Sequence, residues 1–315
     1  MQPTISIVVP LYNEESVFPT LVGRLNALTT SPGVTLEFVL VDDGSRDATS
    51  SLMRDLAEKD SRYTCIFLSR NYGHQAAVSA GMANVSASEA VMIIDGDLQD
   101  PPELVNDFFS KIREGYDVVY GIRKKRKENL FKRFAYWFFY RLLRTLSEVN
   151  IPLDSGDFCM MTRKVNDVIT SMPEQSRFLR GMRTWVGFRQ YGFEYEREKR
   201  ASGDPKYTLK ALFNLAYDGI YNFSYVPMRV ITRLGFFSIV VSLGYLAYVL
   251  IKRFMGYEIP SGFTALIFAI VLFSGVQLIC LGIIGEYVGR IYRQVKNRPM
   301  FLIRNKISGG KEQNG

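Results

Sequence analysis

The chain has 315 residues, 47% of them hydrophobic, so it can form a packed core and is not a disordered protein. It carries 39 Lys and Arg against 31 Asp and Glu, which is compatible with nucleic acid, an anionic membrane surface or a phosphorylated substrate as partner. One histidine, His74, and three widely spaced cysteines exclude multi-histidine metal sites, zinc clusters and a disulfide framework.

Residues 4–121 alternate short apolar runs with helix-period stretches, the pattern of β-α-β units on a mostly parallel sheet. The predicted strands are TISIVVP, VTLEFVLVDD, YTCIFLS, AVMIID and DVVYG. Helices are predicted between consecutive strands, near residues 15–28, 47–60, 74–86 and 103–113. Ligands bind such sheets at the carboxyl ends of the strands, where this sequence places most of its polar residues.

The stretch VMIIDGDLQDPPE, residues 91–103, places three carboxylates directly after the fourth predicted strand: Asp95, Asp97 and Asp100. A solvated turn would explain this composition, but carboxylate oxygens here also suit a divalent cation that bridges two phosphates. Gly96 is expected to let the backbone pass close to the ligand. The sequence lacks the glycine patterns of P-loop and dinucleotide-binding folds, so another kind of nucleotide site is indicated.

The C-terminal third contains two apolar stretches without charge, residues 234–251 and 263–285. Each is long enough to cross the ~30 Å hydrocarbon core of a bilayer, and uncharged runs of this length are rare in soluble domains. We expect a hairpin of two transmembrane helices, at about 230–252 and 263–288. Basic residues flank both outer ends of the hairpin, which places both ends in the cytoplasm by the positive-inside rule.

Two further segments, 129–146 and 206–223, have apolar residues at helical spacing and are expected to be interfacial helices. The first follows the basic run RKKRK and suits anionic lipid headgroups, whereas the second suits packing on the domain core equally well. Because a membrane explains the positive charge, no nucleic-acid partner is expected. The predicted domains are a cytoplasmic domain at 1–225, the hairpin at 226–296 and a cytoplasmic tail at 297–315.

Four motifs at predicted strand ends, VVPLYNEE, VDDGSRDAT, NYGHQAA and IDGDLQDPPE, resemble family 2 glycosyltransferases of the GT-A fold. More closely, the chain resembles the polyprenyl-phosphate sugar transferases, the dolichyl-phosphate mannose synthase-like group, which includes bacterial undecaprenyl-phosphate glucosyltransferases of O-antigen (lipopolysaccharide) modification. The resemblance implies an α/β GT-A domain with a Rossmann-like, mostly parallel sheet, followed by interfacial helices and the hairpin. It also implies inverting transfer of a hexose, glucose, from a UDP-sugar to undecaprenyl phosphate at the inner membrane.

The resemblance assigns expected roles to residues on the nucleotide side of the site. The nucleotide sugar is expected to contact eight residues: Pro10, Tyr12, Glu14, Asp42, Asp95, Gly96, Arg200 and Lys206. Asp97, expected to be catalytic, and Gln99 resemble the ligands of Mg²⁺ or Mn²⁺ in this family. Asp100 is expected to cap the helix that follows Pro101 and Pro102.

Other residues are assigned to the acceptor and the sugar. The lipid phosphate is expected to bind three arginines, the first of them also catalytic: Arg123, Arg126 and Arg133. Asp157 is expected to be the carboxylate nearest the reacting centre, where it positions the acceptor or takes a proton. Arg177 and Trp185 are expected at the sugar pocket, with Arg180 in the same segment.

Several alternatives remain open on the sequence alone. The transferred sugar could be mannose, N-acetylglucosamine or 4-deoxy-4-formamido-arabinose, and a non-catalytic scaffold that binds nucleotide sugars would share the same motifs. A processive polysaccharide synthase is disfavoured because the chain has no Q-x-x-R-W motif. A lone histidine more often packs or caps than catalyses, so His74 is given no chemical role. Glycines on both predicted spans suggest a homo-oligomer.

Overall fold

The computed structural model describes residues 2–124, 155–175, 177–196, 226–256 and 262–314. In these residues the strands are β1 (Ile5–Leu11), β2 (Leu36–Asp42), β3 (Tyr63–Leu68), β4 (Ala90–Ile93), β5 (Val118–Lys124), β6 (Ser155–Thr162), β7 (Gln190–Glu196), β8 (Ile303–Ser308) and β9 (Lys311–Asn314). The helices are α1 (Phe18–Asn26), α2 (Thr49–Lys59), α3 (His74–Ala83), α4 (Val105–Arg113), α5 (Arg163–Ser171), α6 (Leu179–Trp185), α7 (Val226–Phe254) and α8 (Phe263–Val295). The five strands and four helices predicted before residue 121 are all present, with bounds shifted by a few residues.

The described strands form one sheet in the order β7-β5-β6-β4-β1-β2-β3-β8-β9. Its centre, β4-β1-β2-β3, is parallel, as the alternation of strands and helices predicted. The other pairings include antiparallel ones, because β6 lies between β4 and β5 and runs antiparallel to both. The sheet is therefore mixed, with a parallel centre that brings the ends of four strands to one edge.

Helices cover both faces of this sheet. On one face α1, α2 and α4 contribute Leu21, Met53 and Phe108 to a core with alternate residues of the strands. On the other face α3, α5 and α6 bury Val78, Ile169 and other apolar residues in a second core. Because helices cover both faces, β1 is buried at every position, and the central strands are mostly apolar instead of alternating between apolar and polar residues.

The last two strands extend the sheet beyond β3. β8 pairs antiparallel with β3, and β9 pairs with β8 through a turn at Gly309 and Gly310, both of which have positive φ. Ile307 of β8 is 2% exposed and packs in the first core, and Arg54 of α2 forms a 2.8 Å ion pair with Glu312. From the sequence, these residues were predicted only to be a cytoplasmic tail. The Gly-Gly turn after a stretch that mixes apolar and polar residues is a hairpin signal that the prediction did not include.

The two longest helices contain the predicted spans. α7 and α8 have mean hydropathies of 2.2 and 2.6 over their candidate spans, and they are long and apolar enough to cross a membrane. Their apolar side chains are exposed, as for Phe236 and Leu278 at 70% and 69%. α8 runs beyond the predicted end at 288, and its last turn contacts the α/β domain through Gln294. The predicted interfacial helices, 129–146 and 206–223, lie outside the described residues.

Candidate functional site

The turn after β4 lies beside the end of β1. Val8 pairs with Ile93, so the chain leaving β4 carries Asp95 to the level of Pro10. A side chain on Gly96 would lie 2.6 Å from a methyl carbon of Leu11 and 3.0 Å from the Pro10 carbonyl oxygen. The absence of a side chain at Gly96 thus allows the turn to pack against β1, and its expected contact with the nucleotide sugar stays a prediction.

The loops that follow β1 and β2 are tied together by hydrogen bonds. The Asp42 carboxylate accepts bonds from the Ser45 backbone N–H, at 2.8 Å, and from the Ser50 hydroxyl, so it orders the turn after β2. The Glu14 backbone N–H donates to the Thr49 hydroxyl at 2.9 Å, which fixes the turn after β1. Both predicted nucleotide-binding turns therefore lie side by side, and the Tyr12 side chain is exposed. The crevice of the candidate site is the region at the carboxyl ends of β1, β2, β3 and β4.

Asp43 connects this pair of turns to the start of α3. Its carboxylate accepts bonds from the backbone N–H groups of Tyr72, at 2.7 Å, and Gly73, at 2.9 Å. Gly73 has a φ of 95°, a conformation that favours glycine, and it directly precedes His74 at the first position of α3. Asp43 was not singled out from the sequence, yet it sets where His74 enters the crevice.

Asp157 of β6 lies at the centre of a buried charge cluster. One carboxylate oxygen accepts from Arg180 Nε at 2.8 Å, and the other lies 3.0 Å from Gln75 Nε2 and 3.2 Å from His74 Nε2. Burial opposes the charge of Asp157, but Arg180 and His74 outweigh it and hold the pKa of the carboxyl well below its usual range. A carboxylate with so low a pKa is a weak proton acceptor, which favours the positioning role over the proton-accepting one.

His74 belongs to this cluster, although no role was predicted for it from the sequence. Its Nε2 atom lies 3.2 Å from Asp157 and 3.8 Å from Oδ1 of Asp95, so one nitrogen of the ring is close to two carboxylates. Burial lowers the pKa of His74, but the hydrogen bond to Asp157 and the charges of Asp95 and Asp157 outweigh it and raise the pKa to about 9. The position of NYGHQAA at the end of β3 was the available signal, since this end faces the crevice.

Asp95 and Asp97 concentrate negative charge at the mouth of the crevice. Burial is the largest cause that raises the pKa of Asp95, His74 lowers it, and Asp100, Asp157 and Asp97 raise it further. The net pKa is about 6. In the described part of the chain, no three His, Cys, Asp or Glu side chains are arranged to hold a metal by themselves. Mg²⁺ needs only one or two carboxylates when substrate phosphates supply its other ligands, so this donor set fits a cation that arrives with a diphosphate.

Asp100 has a different role from the expected one. The following 3-10 turn begins at Pro102 and its N-cap residue is Pro101, so Asp100 is not the cap. Instead Asp100 is buried and accepts a hydrogen bond from the Tyr195 hydroxyl. Burial lowers the pKa of the Arg123 guanidinium, but Asp100 and a hydrogen bond to Tyr195 outweigh it and raise this pKa. Asp100 thus helps to hold Arg123 next to Asp95.

The two residues predicted at the sugar pocket lie away from this cluster. Arg177 donates to the backbone carbonyls of Thr170 and Met172, at 3.1 and 2.6 Å, and so closes the end of α5. Trp185 is 65% exposed at the end of α6. Arg180, which lies between Arg177 and Trp185 in the sequence, is the residue that contacts Asp157.

The remaining predicted site residues are two metal ligands in the turn after β4 and four residues outside the described part of the chain. The Asp97 carboxylate accepts a bond from the Gln99 backbone N–H at 3.2 Å, so both predicted metal ligands belong to one turn. Four predicted site residues lie outside the described residues: Arg126, Arg133, Arg200 and Lys206.

Two family models match this chain. Glycosyl transferase family 2 matches residues 6–170, which contain the strand-end motifs, Asp95, Asp97 and Asp157. The GtrB C-terminal hairpin matches residues 226–291, which contain α7 and most of α8. The N-terminal part of the chain therefore matches one family model and the C-terminal part matches another, in the predicted order.

Curated relatives match over nearly their full length. An uncharacterized glycosyltransferase of Synechocystis sp. is 42% identical over 95% of this chain and 94% of its own. The SfII prophage-derived bactoprenol glucosyl transferase of Shigella flexneri is 37% identical over 97% of this chain and 99% of its own. Among solved structures, S. aureus TarS 1–349 aligns with 60% of this chain and 58% of its own, with 18% identity and a TM-score of 0.44.

Proposed function

Because the chain belongs to glycosyl transferase family 2 and is a glycosyltransferase, we propose that it transfers glucose from UDP-glucose to undecaprenyl phosphate with inversion at the anomeric carbon. The observation that carries this proposal is the pairing of the carboxylate turn at Asp95 and Asp97 with a half-buried Arg123, whose guanidinium charge interacts with Asp95. The turn suits a sugar diphosphate and its cation, and the guanidinium suits an acceptor phosphate. The relatives named bactoprenol glucosyl transferases support the same acceptor.

In this proposal each group of the chain has a separate task. Asp97 and Gln99 would hold Mg²⁺ or Mn²⁺, which when bound neutralises the charge that develops on the leaving diphosphate. Arg123 orients the acceptor phosphate for in-line attack on the anomeric carbon. A phosphate monoester has a second pKa near 6, so at neutral pH it attacks as a dianion and needs no general base. This agrees with the low pKa of Asp157, which anchors cations and takes no proton.

The two apolar helices support a location at the inner membrane. We propose that α7 and α8 span the bilayer as a hairpin, with the α/β domain and the chain termini in the cytoplasm, because the basic residues flank the outer ends. The hydrogen bonds of Gln294 to the α/β domain keep the end of α8 next to the loop that leads to Arg180. The hairpin glycines lie on exposed helix surfaces and leave room for copies of the chain to pack as a homo-oligomer.

The proposal is tested with the full chain in nanodiscs, undecaprenyl phosphate and one sugar nucleotide at a time. We expect UDP release and a glycolipid product from UDP-glucose, and none from UDP-N-acetylglucosamine, UDP-4-deoxy-4-formamido-arabinose or GDP-mannose. Asp97→Ala should abolish transfer while its circular dichroism spectrum stays unchanged. Product from another donor would change the assigned sugar. Binding of UDP without release from any donor would indicate a scaffold instead of an enzyme.

A further inference from the structure

The cluster around Asp157 contains one group that remains available to a ligand. The side chains of Asp157 and Arg180 are 6% and 19% exposed, whereas that of His74 is 42% exposed. His74 also sits at the carboxyl end of the parallel strands, within 3.8 Å of the Asp95 carboxylate in the turn that suits a sugar diphosphate. The exposed ring therefore lies where a bound phosphate would approach.

The partners of His74 fix its orientation. Gln75 Oε1 accepts from the Leu179 backbone N–H at 2.9 Å, so its Nε2 points at Asp157 and shares an oxygen of this carboxylate with His74. Arg180 occupies the other oxygen. Three donors on one buried carboxylate hold the imidazole in place before any substrate binds, and such preorganisation reduces the cost of binding an anion.

The charges around His74 keep it protonated at neutral pH. The groups that act on it or respond to its charge are Asp157 from β6, Asp95 after β4, Arg180 from α6 and Asp43 at the end of β2. Burial and Arg180 lower the pKa of His74, whereas Asp157 and Asp95 raise it, and the net value is about 9. An imidazolium donates two hydrogen bonds, so it can keep its bond to Asp157 and offer the other N–H to a phosphate oxygen.

We propose that His74 binds a phosphate group of the substrates at the reacting centre, with Asp157 and Gln75 as its positioning residues. The inference rests on the proposed function for the identity of the substrates. The phosphate belongs either to the UDP-sugar or to the polyprenyl phosphate, and the chemistry of recognition is the same in both cases. His74 and Arg123 are then two cations whose charges both act on Asp95.

The sequence offers a direct test, because His74 is the only histidine in the chain. The full chain labelled with ¹³C,¹⁵N-histidine gives one imidazole signal by NMR, which is titrated in four samples: protein alone, with uridine, with UDP and Mg²⁺, and with a short-chain polyprenyl phosphate. We expect a pKa near 9 in the free protein. A bound phosphate should raise it by about one unit in the UDP or the lipid-phosphate sample, and uridine should not change it.

The two phosphate samples identify the source. An increase with UDP assigns the contact to the donor, and an increase with the lipid phosphate assigns it to the acceptor; both support the proposal. A pKa near 6.5 in the free protein, or equal pKa values in all four samples, overturns it. Because this readout needs no turnover, it stands even if no sugar is transferred and the proposed function fails.

Activity measurements separate charge from packing. His74→Gln keeps a hydrogen-bond donor without the charge and should lower kcat/KM about 10- to 100-fold, the effect of one charge-assisted hydrogen bond. The loss should appear in the KM of whichever substrate shifts the NMR signal, or in kcat. His74→Lys restores a cation and should recover part of the loss, whereas a purely structural residue would tolerate Gln better than Lys. Asp157→Asn should lower the pKa of His74 toward 6.5.

Discussion

Asp95 should destabilise the protein above pH 6 when no cation is bound. Burial of its carboxylate and, to a smaller extent, three other carboxylates raise the pKa of Asp95 more than His74 lowers it, so the folded protein favours the protonated form. The substitution Asp95→Asn removes the charge and keeps the size and the hydrogen-bonding capacity of the side chain. We therefore expect this variant to be more stable than the wild type at neutral pH, although it should lose activity if Asp95 contacts the nucleotide.

The size of the effect follows from the pKa. Folding raises it from 3.8 to about 6, and each unit corresponds to about 1.4 kcal/mol. A raised pKa means that the carboxyl stabilises the fold below pH 4 and that this contribution is lost as the pH rises through 6. Between pH 4.5 and pH 7.5 the wild type should lose about 2 kcal/mol that Asp95→Asn does not lose.

The assay is thermal unfolding of the full chain in detergent with EDTA, for both proteins at both pH values. We expect the melting temperature of Asp95→Asn, relative to the wild type, to be roughly 4–8 °C higher at pH 7.5 than at pH 4.5. Mg²⁺ with UDP should reduce this advantage, because a cation relieves the repulsion in the wild type. An advantage that is equal at both pH values, or larger at pH 4.5, would refute the electrostatic reasoning.

Two further predictions concern the C-terminal residues. Ile307→Ala should lower the free energy of unfolding by roughly 2–4 kcal/mol, because Ile307 is fully packed, and exposed Leu302→Ala should have little effect in the same melting assay. Gln294→Ala removes two hydrogen bonds between α8 and the loop at 173–175, so amide hydrogen exchange in that loop should become faster. The matched control is Gln277→Ala, because Gln277 is exposed on the same helix. Equal exchange rates in the two variants would contradict the role of Gln294.

The central fold could be predicted because its signals are local. Buried parallel strands are continuous apolar runs, and the helices between them repeat every 3.6 residues, so each element is visible in its own segment. The place of β6 between β4 and β5 and the return of β8 to β3 depend on pairing between distant residues. Periodicity carries no information on such pairing, which is why the tail was not assigned to the sheet.

The part of the candidate site that lies at strand ends could be predicted from the sequence. Asp95, Asp97 and Arg123 were predicted as site residues from their position after a strand or in a motif, and these roles stay predictions. No role was predicted for His74 because single histidines in proteins are more often packing or capping residues than catalytic ones, and the sequence does not show which residues surround this histidine. Its role depends on Asp157, which is 83 residues away in the chain and contacts it only after β6 has entered the sheet.

The pairing of carboxylates with cations explains why so many acidic residues share one crevice. Asp100 holds Arg123 through Tyr195, and Asp157 holds Arg180 and His74, so these two carboxylates are already neutralised before substrate binds. Burial, which is the largest cause, and the neighbouring carboxylates raise the pKa of Asp95 to about 6 against the opposing effect of His74, so its charge is only partly compensated. A cation delivered with a sugar diphosphate would supply this missing charge, whereas a phosphate without a cation would add to the repulsion. The crevice should therefore bind UDP with Mg²⁺ more tightly than UDP alone. The positive charges of His74 and Arg123 should make this difference in affinity smaller.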